Sequence, residues 1–192
     1  MAAPAIKGLI FDCFGVLYVG SLQMLYDITP KDRWRELHDL NVGSDYGYIG
    51  ADEYAEALAG ITGRSKAEII ELRAREHTRN EPVVDYLRGL KKRYKVAMLS
   101  NVGPELVERL FSEEERTELF DAIVLSYTEG LVKPNPAIFT LTAERLGLTA
   151  GECIMIDDLE KNIEGADAAG MPGIVYTNLD SLKSDLTSVI GV

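Results

Sequence analysis

Cysteine is scarce: the 192 residues contain two, Cys13 and Cys153. A disulfide framework is therefore excluded, and two small core thiols are expected instead. The only two histidines, His38 and His77, fall in helical patterns and read as surface or packing residues rather than as an acid or a metal ligand. Basic residues are outnumbered, 20 against 31 acidic, for a formal net charge of −11. Such a chain repels phosphate backbones and anionic membranes, which argues against nucleic acid or a membrane as partner. No apolar run approaches the eighteen or so residues of a membrane span, and Met1–Phe11 lacks the features of a signal peptide, so a cytoplasmic location is expected. Internal repeats and low-complexity tracts are also missing.

What remains is an ordinary globular composition, 46% hydrophobic and 27% charged, in a length suited to one domain with a modest insertion. Five short apolar, β-branched runs end abruptly in small or polar residues: Ala5–Phe11, Lys95–Leu99, Ala122–Leu125, Cys153–Ile156 and Gly173–Tyr176. Each is followed by a helical pattern. Continuous rather than alternating apolarity means strands covered on both faces, and intervening helices mean right-handed crossovers of a parallel sheet. The fold class predicted is α/β, doubly wound. In such a sheet Cys13 and Cys153 stand roughly 16 Å apart along the strand direction, too far to bridge.

Pro82 opens a helix predicted through Arg93, and Pro104 and Pro136 each occupy a first helical position. Asn135 caps the last of these and Gly147 ends it; another helix runs from Glu160 to Ala169 and stops at Gly170. Between the first strand and Pro82 no convincing strand is visible. Helices start there at Pro30, after Asp52, and at a Ser65–Glu68 capping box. The predicted division is a core of residues 1–17 and 82–192 with a helical cap, residues 18–81, standing above the carboxyl ends of the strands, where ligands bind. The acidic run Glu113–Glu115 reads as a solvated helix end.

The polar residues of interest fall at those carboxyl ends. Asp12 ends the first strand, Ser100 and Asn101 the second, Asp157 and Asp158 the fourth, and Lys133 lies in the loop after the third. Three converging carboxylates require a cation, and oxygen ligands of this kind suit magnesium. Lys133 adds a compact charge able to hold a phosphoryl oxygen, while the Ser100 hydroxyl and the Asn101 backbone N–H are donors for the remaining oxygens. In that setting Asp12 is placed to attack phosphorus, forming an aspartyl-phosphate that water hydrolyses.

The strings Gly8-Leu-Ile-Phe-Asp-Cys-Phe-Gly-Val-Leu17, Met98-Leu-Ser-Asn101, Val132-Lys-Pro-Asn-Pro-Ala-Ile-Phe139 and Ile154-Met-Ile-Asp-Asp-Leu-Glu-Lys-Asn-Ile-Glu-Gly-Ala-Asp-Ala-Ala-Gly-Met171 resemble, in order, the four motifs of the haloacid dehalogenase superfamily. The resemblance implies a Rossmann-like core with a small all-helical cap, and a magnesium-dependent phosphohydrolase acting on a small phosphorylated metabolite such as a sugar phosphate. It implies a nucleophile at Asp12 and phosphate contacts at Ser100, Asn101 and Lys133. A magnesium site is shared by Asp12, the backbone carbonyl of Phe14, and Asp157 or Asp158, with Asn162 steadying it.

One position departs from the pattern. Phosphatases of the family carry an Asp two residues after the nucleophile as general acid, and here Phe14 stands there. A positioned acid contributes on the order of 10²- to 10⁴-fold. A phosphatase favouring esters that leave without help is therefore expected, or one that takes its proton from the cap or from water. The alternatives are a catalytically silent binding module and, less favoured, a 2-haloacid dehalogenase, whose relatives also place an aromatic here but replace the paired acids with Ser and Asn. Phe14 itself reads first as a core aromatic at the cap hinge. Trp34, Tyr46 and Tyr48 suit a cap core; Asp45 and Tyr46 are the cap residues singled out for substrate contact.

Overall fold

The computed structural model describes residues 5–20 and 22–191; positions 1–4 and 192 of the predicted core and 21 of the predicted cap lie outside the described residues. The chain opens with β1 (Gly8–Phe11), reaches a short β2 (Tyr18–Val19), then forms α1 (Leu22–Ile28), α2 (Trp34–Asp45), α3 (Ala51–Thr62) and α4 (Lys66–Glu76). It returns through β3 (Thr78–Arg79) and alternates α5 (Glu81–Leu90), β4 (Lys95–Ser100), α6 (Leu106–Leu110), α7 (Glu113–Leu119), β5 (Ala122–Leu125), α8 (Ser126–Glu129), α9 (Pro136–Arg145), β6 (Cys153–Asp157), α10 (Glu160–Ala168), β7 (Gly173–Val175) and α11 (Leu179–Ile190).

Five strands form one sheet in the order β5-β4-β1-β6-β7, every pairing parallel. Successive side chains of a strand point to opposite faces, and both faces are dry. Leu9 and Phe11, with Val96, Met98, Ile154 and Ile156, join one core cluster together with Val83, Val84, Leu87 and Leu90 of α5 and Leu182 and Leu186 of α11. Ile10, Ala97, Leu99, Cys153 and Met155 join the other, against Ile138, Phe139 and Ala143 of α9 and Ile163 and Ala166 of α10. Covering both faces explains why the strands read as unbroken apolar runs. Each fully buried Leu, Ile or Phe contributes roughly 1.5–3 kcal/mol by leaving water. Cys13 and Cys153 are buried free thiols.

A third cluster belongs to α1–α4 alone: Leu25, Leu37, Leu40, Tyr54, Leu58, Ile61 and Ile69. The predicted capping box at Ser65 and Glu68 is formed in both directions, Asn135 caps α9 through Ala137 N–H, and Gly170 takes the positive φ of a helix terminator.

Three features differ from the sequence reading. The block before Pro82 is bounded by a ribbon, β2 pairing antiparallel with β3 through Tyr18–Arg79 and Val19–Thr78; pairs this short leave no alternation to read. A helix, α1, precedes the one led by Pro30. Pro104 does not open a helix: Glu105 takes φ 66° and α6 begins at Leu106. Glu113–Glu115 form a helix end as read, the first turn of α7, where acids complement the helix dipole; Glu113 and Glu114 are exposed, and Glu115 pairs with Arg79 at 2.7 Å. No helix among the described residues is long and apolar enough to cross a membrane.

Candidate active site

Parallel strands deliver their carboxyl ends to one edge of the sheet, and the polar residues that end them meet there. Asp12 follows β1 directly; its N–H donates to the Ile156 carbonyl at 2.9 Å, extending the ladder one residue beyond the strand. Its Oδ1 accepts from the Cys13 N–H at 2.7 Å and from Lys133 Nζ at 2.9 Å. The same Nζ donates to Asp157 Oδ2 at 2.6 Å. Lys133 is thus a buried ammonium clamped between two buried carboxylates.

Both oxygens of Asp157 are engaged. Besides Lys133, its Oδ1 accepts from the Leu159 N–H and from Asn162 Nδ2, each at 2.9 Å. Asp158 is different: half-buried, it lines the cleft, and its carboxyl sits where a Cβ on Gly15 would be. Gly15 also holds φ +87°, so both space and backbone demand glycine there.

Carboxylate oxygens of Asp12, Asp157 and Asp158 all lie within 4.8 Å of one another. Three such groups against one ammonium leave an excess negative charge in a dry setting. Burial pushes Asp12 up to about 7; Lys133 opposes the rise, and Asp157 and then Asp158 add to it. Asp158 is raised by burial and by Asp157. For Lys133, burial favours the neutral form, but Asp12 and Asp157 outweigh it and hold the ammonium. Hard oxygen donors with surplus charge suit magnesium or a similar divalent cation. The backbone carbonyl of Phe14 adjoins this set in sequence.

The strand-end groups expected to contact an anion stand at the end of β4, although Ser100 is not among the residues that line the cleft. Ser100 Oγ is fully buried and finds no hydrogen-bond partner among the described residues, a costly arrangement unless a ligand completes it. Asn101 braces the Lys133 loop, accepting from the Lys133 N–H at 2.7 Å and donating Nδ2 to its carbonyl at 2.9 Å. That use of the Asn101 side chain was not foreseen from sequence. Burial, followed by the nearby Asp12 charge, raises the Cys13 thiol far enough to keep it protonated, so its adjacency to Asp12 carries no nucleophilic role.

The cleft above these residues encloses about 610 Å³ and is lined from the strand-end side by Asp12, Phe14, Asn101, Lys133, Asp158 and Asn162. Helices α1–α4 contribute Leu25, Asn41, Asp45, Tyr54 and Arg73, and His77 follows them. Phe14 is half-buried, packs against the core and meets the His77 ring at 4.9 Å. Asp45 faces the cleft, whereas Tyr46 is stacked on Tyr48 at 5.5 Å and is not among the lining residues. A depression of about 680 Å³ along α7, lined by Glu113, Glu114, Thr117 and Glu118, holds no strand-end residue.

Sequence reasoning missed Arg73 and His77. Both lie in the cleft; burial, then the Arg73 charge, pulls His77 down to about 4, and neither ring nitrogen finds a partner among the described residues. Their i, i+4 spacing was the available signal, since it puts both on one helix face. Asn41 and Tyr54 were missed too; they are joined by the hydrogen bond from the Tyr54 hydroxyl to Asn41 Oδ1 at 2.5 Å.

The chain is similar to several known proteins. A family profile described as haloacid dehalogenase-like hydrolase matches residues 6–170. A D-ribitol-5-phosphate phosphatase of Bacteroides thetaiotaomicron is 26% identical over 203 residues, 96% of this chain and 98% of that one. A sesquiterpene phosphatase of Aspergillus oryzae is likewise 26% identical, across 96% of this chain and 97% of its own. Among solved structures, a HAD family enzyme of Bacteroides thetaiotaomicron in complex with magnesium and inorganic phosphate superposes with a TM-score of 0.76 at 21% identity, covering 93% of this chain and 99% of that chain.

Proposed function

The chain belongs to the haloacid dehalogenase-like hydrolases, and from that membership we propose a magnesium-dependent phosphatase of small phosphorylated metabolites, working through an aspartyl-phosphate on Asp12. The carrying observation is Lys133 held between Asp12 and Asp157 beside a third carboxylate, Asp158. Relatives that span nearly the whole chain are named as phosphatases of a polyol phosphate and of a sesquiterpene, which supports phosphate as the constant part of the substrate.

Each residue then has a part. Lys133 and the Cys13 N–H fix the Asp12 carboxylate so that it meets phosphorus without reorganising. Ser100 Oγ gains an acceptor in a phosphoryl oxygen, and Lys133 offsets the charge developing there. Magnesium, when bound, would supply Lewis-acid polarisation and charge neutralisation to the phosphoryl oxygens. Asp12, the Phe14 carbonyl and Asp158 would hold it, and Asp157, both of whose oxygens are engaged by Lys133, Leu159 and Asn162, would support from behind. Residues 18–81 act as the cap that shapes the leaving-group end; of the two cap residues singled out, Asp45 is the one assigned to substrate.

Phe14 in the cleft is the observation that favours a haloacid dehalogenase. Against it, Asp157 and Asp158 would face a carboxylate substrate with negative charge. Phosphate release from sugar, acyl, nucleotide and aryl phosphates, with and without magnesium, decides the matter: release that needs magnesium supports the phosphatase, release that persists in excess chelator removes the metal-dependent reading, and silence across the panel removes the phosphatase.

Two results follow for individual groups. Magnesium at about a hundred times its dissociation constant is expected to stabilise the fold by roughly 2.7 kcal/mol, or about 5–10 °C in melting temperature for a chain this size. Asp158→Asn should abolish most of that rise, and a variant that melts with the full rise would exclude Asp158 as a ligand. Where no other residue supplies the leaving-group proton, Phe14→Asp, which restores a carboxyl two residues after the nucleophile, is expected to raise turnover of alkyl phosphates roughly tenfold more than that of p-nitrophenyl phosphate. Equal changes on both would show that the missing carboxyl does not limit the reaction.

A further inference from the structure

Phe14 offers no proton, yet an alkoxide leaves poorly without one. Among the described residues, three carboxyl groups line the cleft: Asp12, Asp158 and Asp45. The first is assigned to phosphorus and the second to the metal, which leaves Asp45, the last residue of α2.

The fold takes trouble over where Asp45 stands. Its backbone carbonyl accepts from Ser126 Oγ at 2.5 Å, and that hydroxyl in turn accepts from the Val102 N–H at 2.9 Å, one residue beyond Asn101. On one side Ser44 packs into the space left by the absent side chain of Gly103. On the other, Gly47 adopts φ +76°, and a Cβ there would come within 2.7 Å of the Tyr127 carbonyl. The end of α2 is therefore pinned to the loop that carries Asn101 and to α8 at contacts that admit only glycine. The side chain is treated in the opposite way: among the described residues, no hydrogen bond or ion pair holds the Asp45 carboxyl. A fixed backbone with a free carboxyl facing a reaction cleft is the arrangement of a group kept for substrate.

Resting on the phosphatase reading, we propose that Asp45 is the general acid and base of the reaction. In the first step its carboxyl proton passes to the leaving oxygen as the ester P–O bond breaks and the bond from Asp12 to phosphorus forms. In the second, its carboxylate takes a proton from the water whose oxygen bonds to phosphorus while the aspartyl–phosphate bond breaks. Phosphate leaves, and both aspartates return to their starting forms.

The surroundings suit both halves. Burial pushes Asp45 up to about 6, with Lys133 and then Lys161 pulling the other way. A carboxyl titrating there exchanges protons near neutral pH in either direction. From α4 and its C-cap, Arg73 and His77 also line the cleft; His77, held near 4, is neutral and does not compete as the acid.

The test compares two leaving groups in the magnesium-loaded enzyme. In a single turnover, Asp45→Asn is expected to slow release of glycerol from glycerol phosphate by on the order of 10²- to 10⁴-fold and release of p-nitrophenolate, which departs unaided, by less than about tenfold, while the second step, common to both esters, slows alike. In the wild type, kcat on glycerol phosphate should fall as pH rises through the Asp45 titration, because only the protonated form donates. Asp45→Asn should lose that limb, and Asp45→Glu should recover part of the alkyl rate. Equal losses on both esters, an undiminished alkyl rate, or an alkyl limb that survives in Asp45→Asn would overturn the assignment while leaving the phosphatase standing. Failure of the wild type to release phosphate from either ester would instead bring down the phosphatase reading, and this assignment with it.

Discussion

Asp12→Asn is expected to stop phosphate release, with a loss of at least about 10⁴-fold on every ester, because removing a covalent nucleophile leaves only binding and charge stabilisation behind. The alkyl and aryl substrates should lose equally, which separates this variant from those that act on the leaving group. Folding should not suffer. A carboxyl whose folded pKa lies near 7, against roughly 4 in the unfolded chain, holds a proton in the native state that the unfolded chain has already shed. Its stabilising contribution is complete below about pH 4 and is lost as pH rises through 7, so at neutral pH without a divalent cation the charged Asp12 is a liability. The amide removes that liability, and Asp12→Asn should melt at or above the wild-type temperature in chelator. Phosphate assays alongside thermal melts check both halves; a variant that folds and still turns over would eliminate Asp12 as nucleophile.

Lys133→Ala should behave in the opposite manner. The ammonium is 3% exposed and lies 2.9 Å from Asp12 and 2.6 Å from Asp157, so its removal strands two buried carboxylates face to face. Breaking a buried ion pair from one side costs about 3–5 kcal/mol, equivalent to a fall on the order of 10 °C in melting temperature for a chain this size. Activity should fall with it, since the charge that holds Asp12, and that in the proposed reaction receives a phosphoryl oxygen, is gone. Adding Asp157→Asn to Lys133→Ala should recover much of the stability and none of the activity, because the stranded charge is relieved but the clamp is not rebuilt. Denaturant melts give the first comparison and phosphate release the second. A single variant within about 1 kcal/mol of wild type would mean that water reaches this cluster freely.

The core was legible because burial on both faces writes itself into the strands as runs such as Leu-Ile-Phe before Asp12 and Ile-Met-Ile before Asp157. The catalytic candidates were legible because those runs stop at charged or small residues, and parallel topology guarantees that their ends meet. What escaped was set by tertiary approach. Pro104 suits a helix start in isolation, but Gly103 beside it serves the close passage of Ser44, and the chain turns once more before α6. Ser65 and Glu68 could be read because both halves of their box lie within one turn; Ser126, which tethers Asp45 from far along the chain, could not. Tyr46 and Asp45 are neighbours in sequence, yet one lies against Tyr48 and the other lines the cleft, a difference that only the end of α2 and its docking determine.

The ribbon of β2 and β3 has a consequence for how such a molecule changes over time. Everything between Val19 and Thr78 leaves and re-enters the core side by side, through two strands hydrogen-bonded to each other. The sheet never learns how long the excursion is. Closing a loop costs only about 0.6 kcal/mol more for each doubling of its length. Helices can therefore be inserted, exchanged or trimmed beyond this doorway while β1, Asp12 and the dry sheet behind them keep their register, and the chemistry is inherited intact as its clientele is replaced.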